Sequence, residues 1–164
     1  MKIPIVNEQD EIIEHKESKD RDPKTEIART SAIWLMNENG EVLISKRAKT
    51  KKLHPNLWSS SVTGVNEEGE TCESNIIKEV KEELGFDLGK FTTLYKELIN
   101  DERVFFVQHF LAKIPKDTKF ILQDEEVEEV RWISVSDLKD WFTKSPEDFI
   151  PVFKYNMNSL KLCI

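Results

Sequence analysis

GVNEEGETCESNIIKEVKEELGF, residues Gly64 to Phe86, is the stretch on which the fold turns. Its second half has helical spacing. Ile76, Ile77, Val80 and Leu84 recur as one side of a helix needs them. Thr71 stands where an N-cap belongs, Glu73 suits the first turn, and Gly85 suits the end. The pattern predicts a helix over Thr71–Leu84, with its apolar stripe turned to a core.

The same helix carries Glu79, Glu82 and Glu83 at i, i+3 and i+4. At 3.6 residues per turn they fall within an arc of roughly 100°, beside the apolar stripe. Three ionised carboxylates this close repel one another. A solvated acidic face accounts for them, and so does a site for a hard divalent cation such as Mg²⁺, which prefers carboxylate oxygen and water. The helix alone does not choose.

Outward from this segment the chain alternates between strand and turn signals. Ile3–Val6 and Glu11–Glu14 flank a polar turn at Asn7–Asp10, which predicts a small N-terminal hairpin. Lys16–Glu26 is charged, holds Pro23, and reads as a loop. Thr30–Met36 and Glu41–Lys46 are strand-like and joined by Asn37-Glu38-Asn39-Gly40, a hairpin signal. A basic loop, Arg47–Asn56, leads to an extended Leu57–Thr63. Beyond the helix, Thr92–Leu98, Val104–Lys113 and Val130–Ser134 read as strands. Ser136 caps a helix through Phe142, and Ser145 or Pro146 opens another that runs to near Leu160. Strands on both sides of a central helix, with helices at the end, predict an α/β fold: a mixed sheet between helical layers. Residues 1–28 form a hairpin-and-loop extension and 29–164 the main domain.

Composition narrows the class. The chain has 164 residues, 38% hydrophobic and 34% charged, which suits one domain with one core. A formal net charge of −7 argues against a nucleic-acid polymer as partner, because that needs a positive surface. Cys72 and Cys163 form neither a metal-type pair nor a disulfide framework. The start, MKIPIVNEQDEIIEHK, lacks a signal peptide's apolar core, and no stretch reaches the length of a membrane span. The expectation is a cytoplasmic protein acting on a small molecule away from membranes, its oligomeric state unread.

The wider spacing decides between the two readings of the helix. Gly64, Glu70, Glu79, Val80, Glu82, Glu83, Gly85 and Phe86 all match G-x5-E-x7-R-E-U-x-E-E-x-G-U, where U is bulky and apolar. Six of these matches demand a specific Gly or Glu, and a chance fit is on the order of 10⁻⁶ per start position. The segment thus resembles the motif of the Nudix hydrolases, whose fold is an α/β/α sandwich with a mixed sheet. Lys78 is the departure, standing where the family has Arg.

The resemblance implies divalent-metal-dependent hydrolysis of a diphosphate linkage, with a nucleoside diphosphate derivative as substrate. It implies Mg²⁺ or Mn²⁺ held by Glu79, Glu82 and Glu83 with a backbone oxygen of Gly64, and Glu70 orienting the carboxylates through Lys78. The water's base varies in the family between a motif glutamate and a carboxylate on a later loop. Here Asp124, Glu125, Glu126, Glu128 and Glu129 lie on such a loop, and each by itself reads as solvated.

RAKTKKLHPNLWSSSVTG, residues 47–64, also resembles the Nudix-fold isopentenyl-diphosphate isomerases. Arg47 and Lys51 fall where those enzymes keep diphosphate-binding cations, and a guanidinium with a mobile ammonium suits that task. The isomerase chemistry does not follow. It needs Cys and His around the residue matching Gly64, where Thr63 and Val65 stand, and metal-binding histidines where Asp20–Ile33 holds none. Isomerase and noncatalytic binding module remain the alternatives to hydrolase. His15 and His54 read as surface residues, His109 as structural, Trp34, Trp132 and Trp141 as core, and Trp58 as core or rim.

Overall fold

Period-two alternation sorts the central strands between two helical layers. The computed structural model describes residues 1–163. In β3 (Ala28–Met36), Ile33 and Leu35 point to one side and Trp34 and Met36 to the other. In β4 (Glu41–Arg47), Leu43 joins the first side while Val42 and Ile44 join the second. The first side packs on Ile76, Val80 and Leu84 of α1 (Cys72–Leu84). The second packs on Leu138 of α2 (Val135–Lys144) and on Phe153 and Leu160 of α3 (Phe153–Leu160). Each fully buried Leu, Ile or Phe contributes about 1.5–3 kcal/mol, so the two cores hold three layers together. This is the α/β/α sandwich expected.

The sheet is mixed. β8 (Val104–Lys113) runs parallel to β3, and β7 (Thr92–Asn100) runs antiparallel beyond it. On the other flank of β3 lies β6 (Val62–Val65), antiparallel, with Ser31 opposite Gly64. β4 meets β3 only at Met36↔Val42, then diverges to pair with β9 (Val127–Ser134) and the short β5 (Trp58–Ser59). Ser61 wedges the divergence: its hydroxyl accepts from Leu35 N at 2.8 Å and donates to Leu43 O at 2.6 Å. A cleft opens where β4 leaves β3.

β1 (Lys2–Val6) and β2 (Ile12–Glu17) form a separate two-stranded sheet. Ile3 and Ile5 bury against Ala28, Val65 and Phe105, so the hairpin rests on the start of the main sheet.

Several local expectations need correction. Ile77 is 42% exposed, because it lies about 100° round the helix from Ile76 and off the stripe. Ser134, not Ser136, caps α2, accepting from Asp137 N at 3.1 Å. The last expected helix is broken: Pro146–Asp148 is a 3₁₀ turn and α3 starts only at Phe153. Pro151 separates the two, since it has no N–H to continue a helix. Leu57–Thr63 breaks at Ser60–Ser61 into two strands, and β9 begins three residues before Val130.

Candidate active site

The helix that bears the acidic cluster is fixed at both ends. Thr71 Oγ1 accepts from Ser74 N and Ser74 Oγ from Thr71 N, each at 3.0 Å, a reciprocal cap. Gly85 ends the helix at φ 76°, a conformation glycine adopts without strain. Past it, Ile121 N donates to Leu84 O at 2.9 Å and Gln123 N to Glu83 O at 3.1 Å. The orphan carbonyls of the helix end therefore hold the loop that leads into β9.

Helical phase explains how the glutamates differ. Measured from Ile76, Glu83 lies about 20° away, inside the apolar stripe, Glu79 about 60° and Glu82 about 120°. Glu82 is accordingly exposed. Glu79 is turned against Gly64, where an added Cβ would sit 2.3 Å from Glu79 Cγ. Burial raises the Glu79 pKa to about 7, with Glu82, Glu70 and Glu126 adding to the shift and Lys78 opposing it. Burial also raises Glu83 well above the ordinary carboxylate range, and Glu79 and Glu126 push the same way.

Behind the helix sits a polar clasp. Lys78 Nζ lies 2.5 Å from Glu70, 2.8 Å from Glu67 and 3.8 Å from Glu79. Burial alone would lower the Lys78 pKa, but its hydrogen bonds with Glu67 and Glu70 carry it well above its ordinary value. Glu70 also accepts from Glu67 N at 2.8 Å and Asn75 Nδ2 at 2.9 Å. Asn75, fully buried, donates in addition to Val65 O at 3.1 Å and so ties helix, loop and β6 together. Glu67 and Asn75 were not among the expected site residues. Glu67 stands in sequence among other acids that nothing distinguishes from it, and a lone Asn at that helical position carries no signal.

The opposite wall brings the basic loop over the acids. Arg47 and Lys51 line the same cleft as Gly64, Glu79, Glu82 and Glu83. Arg47 donates twice to Leu53 O, at 3.0 and 2.9 Å, which shapes its own loop. Lys51 Nζ pairs with Glu126 at 2.5 Å. Of the five loop carboxylates, Glu126 is the one that lines the cleft. Ala48 N holds the Glu126 carbonyl at 3.0 Å, and the turn closed by Glu126 N to Gln123 O aims it there. Nothing in the run DEEVEE marks that residue over its neighbours.

Of the remaining candidates, His54 and His109 also line the cleft, His54 half-buried where a surface residue was expected. His109 is buried beside Tyr95, ring centroids 4.8 Å apart, and burial lowers its pKa to about 4. Trp58 is buried against Trp141, with Arg131 4.8 Å from its ring. Trp34 is buried, while Trp132 and Trp141 are half-buried at the core's edge. Both cysteines are free thiols, Cys72 buried and Cys163 half-buried.

The donor set suits a hard cation: three carboxylates and a strand backbone, oxygen throughout. Glu83 is a half-buried acid whose neighbouring cations are committed, Lys51 to Glu126 and Arg47 to the Leu53 carbonyl. Among the described residues no three acids, histidines or cysteines already converge on one point, so the side chains would have to turn inward to share an ion.

The family model of the NUDIX domain matches residues 26–153. The chain belongs to the Nudix family. An uncharacterized Nudix hydrolase of Listeria innocua is 36% identical over 124 residues, covering 76% of this chain and 72% of that one. An isopentenyl-diphosphate Δ-isomerase of Salmonella heidelberg is 40% identical over 62 residues, 38% of this chain and 34% of the isomerase. The crystal structure of DR0079 from Deinococcus radiodurans superposes with a TM-score of 0.75 at 22% identity, covering 88% of this chain and 90% of that one. This Nudix protein is accordingly a hydrolase of the pyrophosphate-cleaving kind.

Proposed function

We propose that this Nudix protein hydrolyses a diphosphate linkage in a nucleoside diphosphate derivative, using Mg²⁺ or Mn²⁺ bound by Glu79, Glu82, Glu83 and the Gly64 backbone. One observation carries the reading: the three helix carboxylates line one cleft with Arg47, Lys51 and Glu126. Two cations facing a patch of acids suit a diphosphate bridged to carboxylates by a divalent ion. Such an ion would offset phosphate charge and lower the pKa of a bound water. The cleft, about 520 Å³, has the size of small-molecule sites.

The chain's own residues have distinct tasks. Arg47 and Lys51 grip the phosphates. Lys78, Glu70 and Asn75 set the orientation of Glu79. Lys51 can leave Glu126 for a phosphate oxygen, and Glu126 is then free to take the proton of the attacking water. Water adds to one phosphorus, the bridging oxygen leaves on the other phosphate, and two phosphate products result. The two free thiols support a reducing, cytoplasmic setting.

The match to an isomerase favours one second reading, isomerisation of isopentenyl diphosphate. Thr63 and Val65, on either side of Gly64 in the cleft wall, argue against it. A threonine hydroxyl is far less acidic than a thiol and is a poor proton donor to an alkene. A panel of nucleoside and non-nucleoside diphosphates, isopentenyl diphosphate included, tests both. The expected result is phosphate-ester release that needs Mg²⁺ or Mn²⁺, stops in excess chelator, and falls by orders of magnitude in Glu83→Gln. Full activity in that variant or in chelator refutes the metal site. Formation of dimethylallyl diphosphate supports the isomerase, and no turnover of any compound supports a binding module.

A further inference from the structure

The cleft does not end at the diphosphate-gripping residues. Away from the glutamates its wall becomes apolar, with Ile99, Phe105 and Tyr155 packed around the buried Ala32 and Val107. Beyond these it is lined by two arginines, Arg21 from the N-terminal loop and Arg103 from the turn between β7 and β8, with one acid, Glu102, among them. The two arginines are far apart in sequence and close in space.

Neither forms an ion pair among the described residues, although Glu26 and Asp22 lie near enough to Arg21 to favour its charge. Arg21 donates from Nε to Glu26 O at 2.8 Å and from Nη2 to Val104 O, both backbone carbonyls. Arg103 forms no side-chain hydrogen bond or ion pair among the described residues, and neither does the side chain of Glu102 beside it. The acids of the Arg21 loop are committed elsewhere. Asp22 is held by Thr25 Oγ1 and Lys24 N, and Glu26 by Lys16 and Asp22 N. Burial lowers the Arg21 pKa to about 10, and Arg103 pushes it the same way. In a chain of net charge −7, two half-buried guanidinium groups left facing one cleft are a cost without a partner. The wall between holds a further unmet group, the buried Asn156 Oδ1, which has no hydrogen-bond partner among the described residues.

Strand register gives the span. Gly64 faces Ser31, and Ser31 faces Gln108 on the next strand. Arg103 lies five residues before Gln108, so its Cα is on the order of 20 Å from that of Gly64.

We propose that Arg21 and Arg103 form a second anion site, and that the diphosphate substrate carries a phosphomonoester on its organic part, remote from the linkage that is cut. The inference rests on the diphosphatase reading above for the cutting step and on the arginine pair for the rest. A phosphomonoester is a dianion near neutral pH and matches two guanidinium charges, whereas a carboxylate would leave one unpaired. Arg21 comes from the N-terminal extension, which would give residues 1–28 a part in specificity.

Matched ligands test it. Calorimetric binding of adenosine 2′,5′- and 3′,5′-bisphosphate is compared with that of adenosine 5′-monophosphate, without reference to turnover. In parallel, kcat/KM is measured for NADP⁺ against NAD⁺ and for coenzyme A against its 3′-dephospho form. At least one bisphosphate is expected to bind about tenfold or more tightly than the monophosphate. Arg103→Ala should pull that ratio toward one and Arg103→Lys should keep part of it. Arg21 is left intact, because it also staples the loop to Val104. Equal binding of all three nucleotides, no binding of any, or a ratio unchanged in Arg103→Ala overturns the second site. Discrimination in binding with no hydrolysis of any diphosphate upholds the second site and overturns the diphosphatase reading instead.

Discussion

One carboxylate, Glu79, and one lysine, Lys78, carry most of the consequence at the scale of single residues. Glu79 keeps its proton to about pH 7 in the fold, against an ordinary value near 4.5. The folded form thus binds more protons than the unfolded one between those values, and stability without a divalent cation falls as pH rises through the window. The shift corresponds to roughly 3 kcal/mol once Glu79 is ionised. Glu79→Gln should therefore melt higher than wild type at pH 8 in chelator, lose that gain near pH 4, and be nearly inactive. His109, with its pKa depressed to about 4, slopes the other way between about pH 4 and 6.5, and that slope cancels in the difference between variant and wild type. Equal melting at pH 8 would show that the Glu79 charge is not strained. For Lys78, one compact charge serves Glu67, Glu70 and Glu79. An Arg would hold a carboxylate by a planar two-pronged contact and fix its orientation better. Lys78→Arg should keep or raise kcat and tighten the metal dependence, and Lys78→Gln should lose rate. A tenfold loss in Lys78→Arg would mean the site is rebuilt around lysine.

At the scale of elements, the contact between α1 and β6 sets where the site is. Ser31 of β3 pairs with Gly64, and Glu79 fills the room that a side chain at 64 would take. Gly64 lies in ordinary strand conformation, so close approach and not backbone freedom requires glycine there. Gly64→Ala should drive Glu79 out of its seat and cost at least about tenfold in kcat. Because both changes act on one seat, the effects of Gly64→Ala and Glu79→Gln should not add, and the double variant should be no slower than the slower single. Independent, multiplying losses would separate Gly64 from Glu79.

Across the whole molecule, the divergence of β4 from β3 makes a cleft with an acidic pole, an apolar middle and a far end lined by Arg21, Arg103 and Glu102. Its roof is the Arg47–Asn56 loop, latched to the opposite wall by Lys51 and Glu126. If Arg47 and Lys51 hold ground and transition state alike, Arg47→Ala and Lys51→Ala should raise KM more than they lower kcat. An unchanged KM in both would leave the loop merely solvated.

What the sequence determined by itself was local and periodic. Thr71 and Gly85 bounded the helix, the motif from Gly64 to Phe86 marked the family, and Asn37–Gly40 marked the turn between β3 and β4. These features depend on backbone hydrogen bonds and on residues a few positions apart, so spacing alone carries them. Tertiary structure decided the rest. It exposed Ile77, chose Glu126 from five equivalent acids, gave Lys51 a partner, and brought Arg21 to Arg103. It also raised the pKa of Glu79 and of Glu83, because desolvation depends on what packs around a charge from distant parts of the chain. Each of these outcomes was set by where β4, β8 and the N-terminal loop came to lie, which no short window of sequence contains.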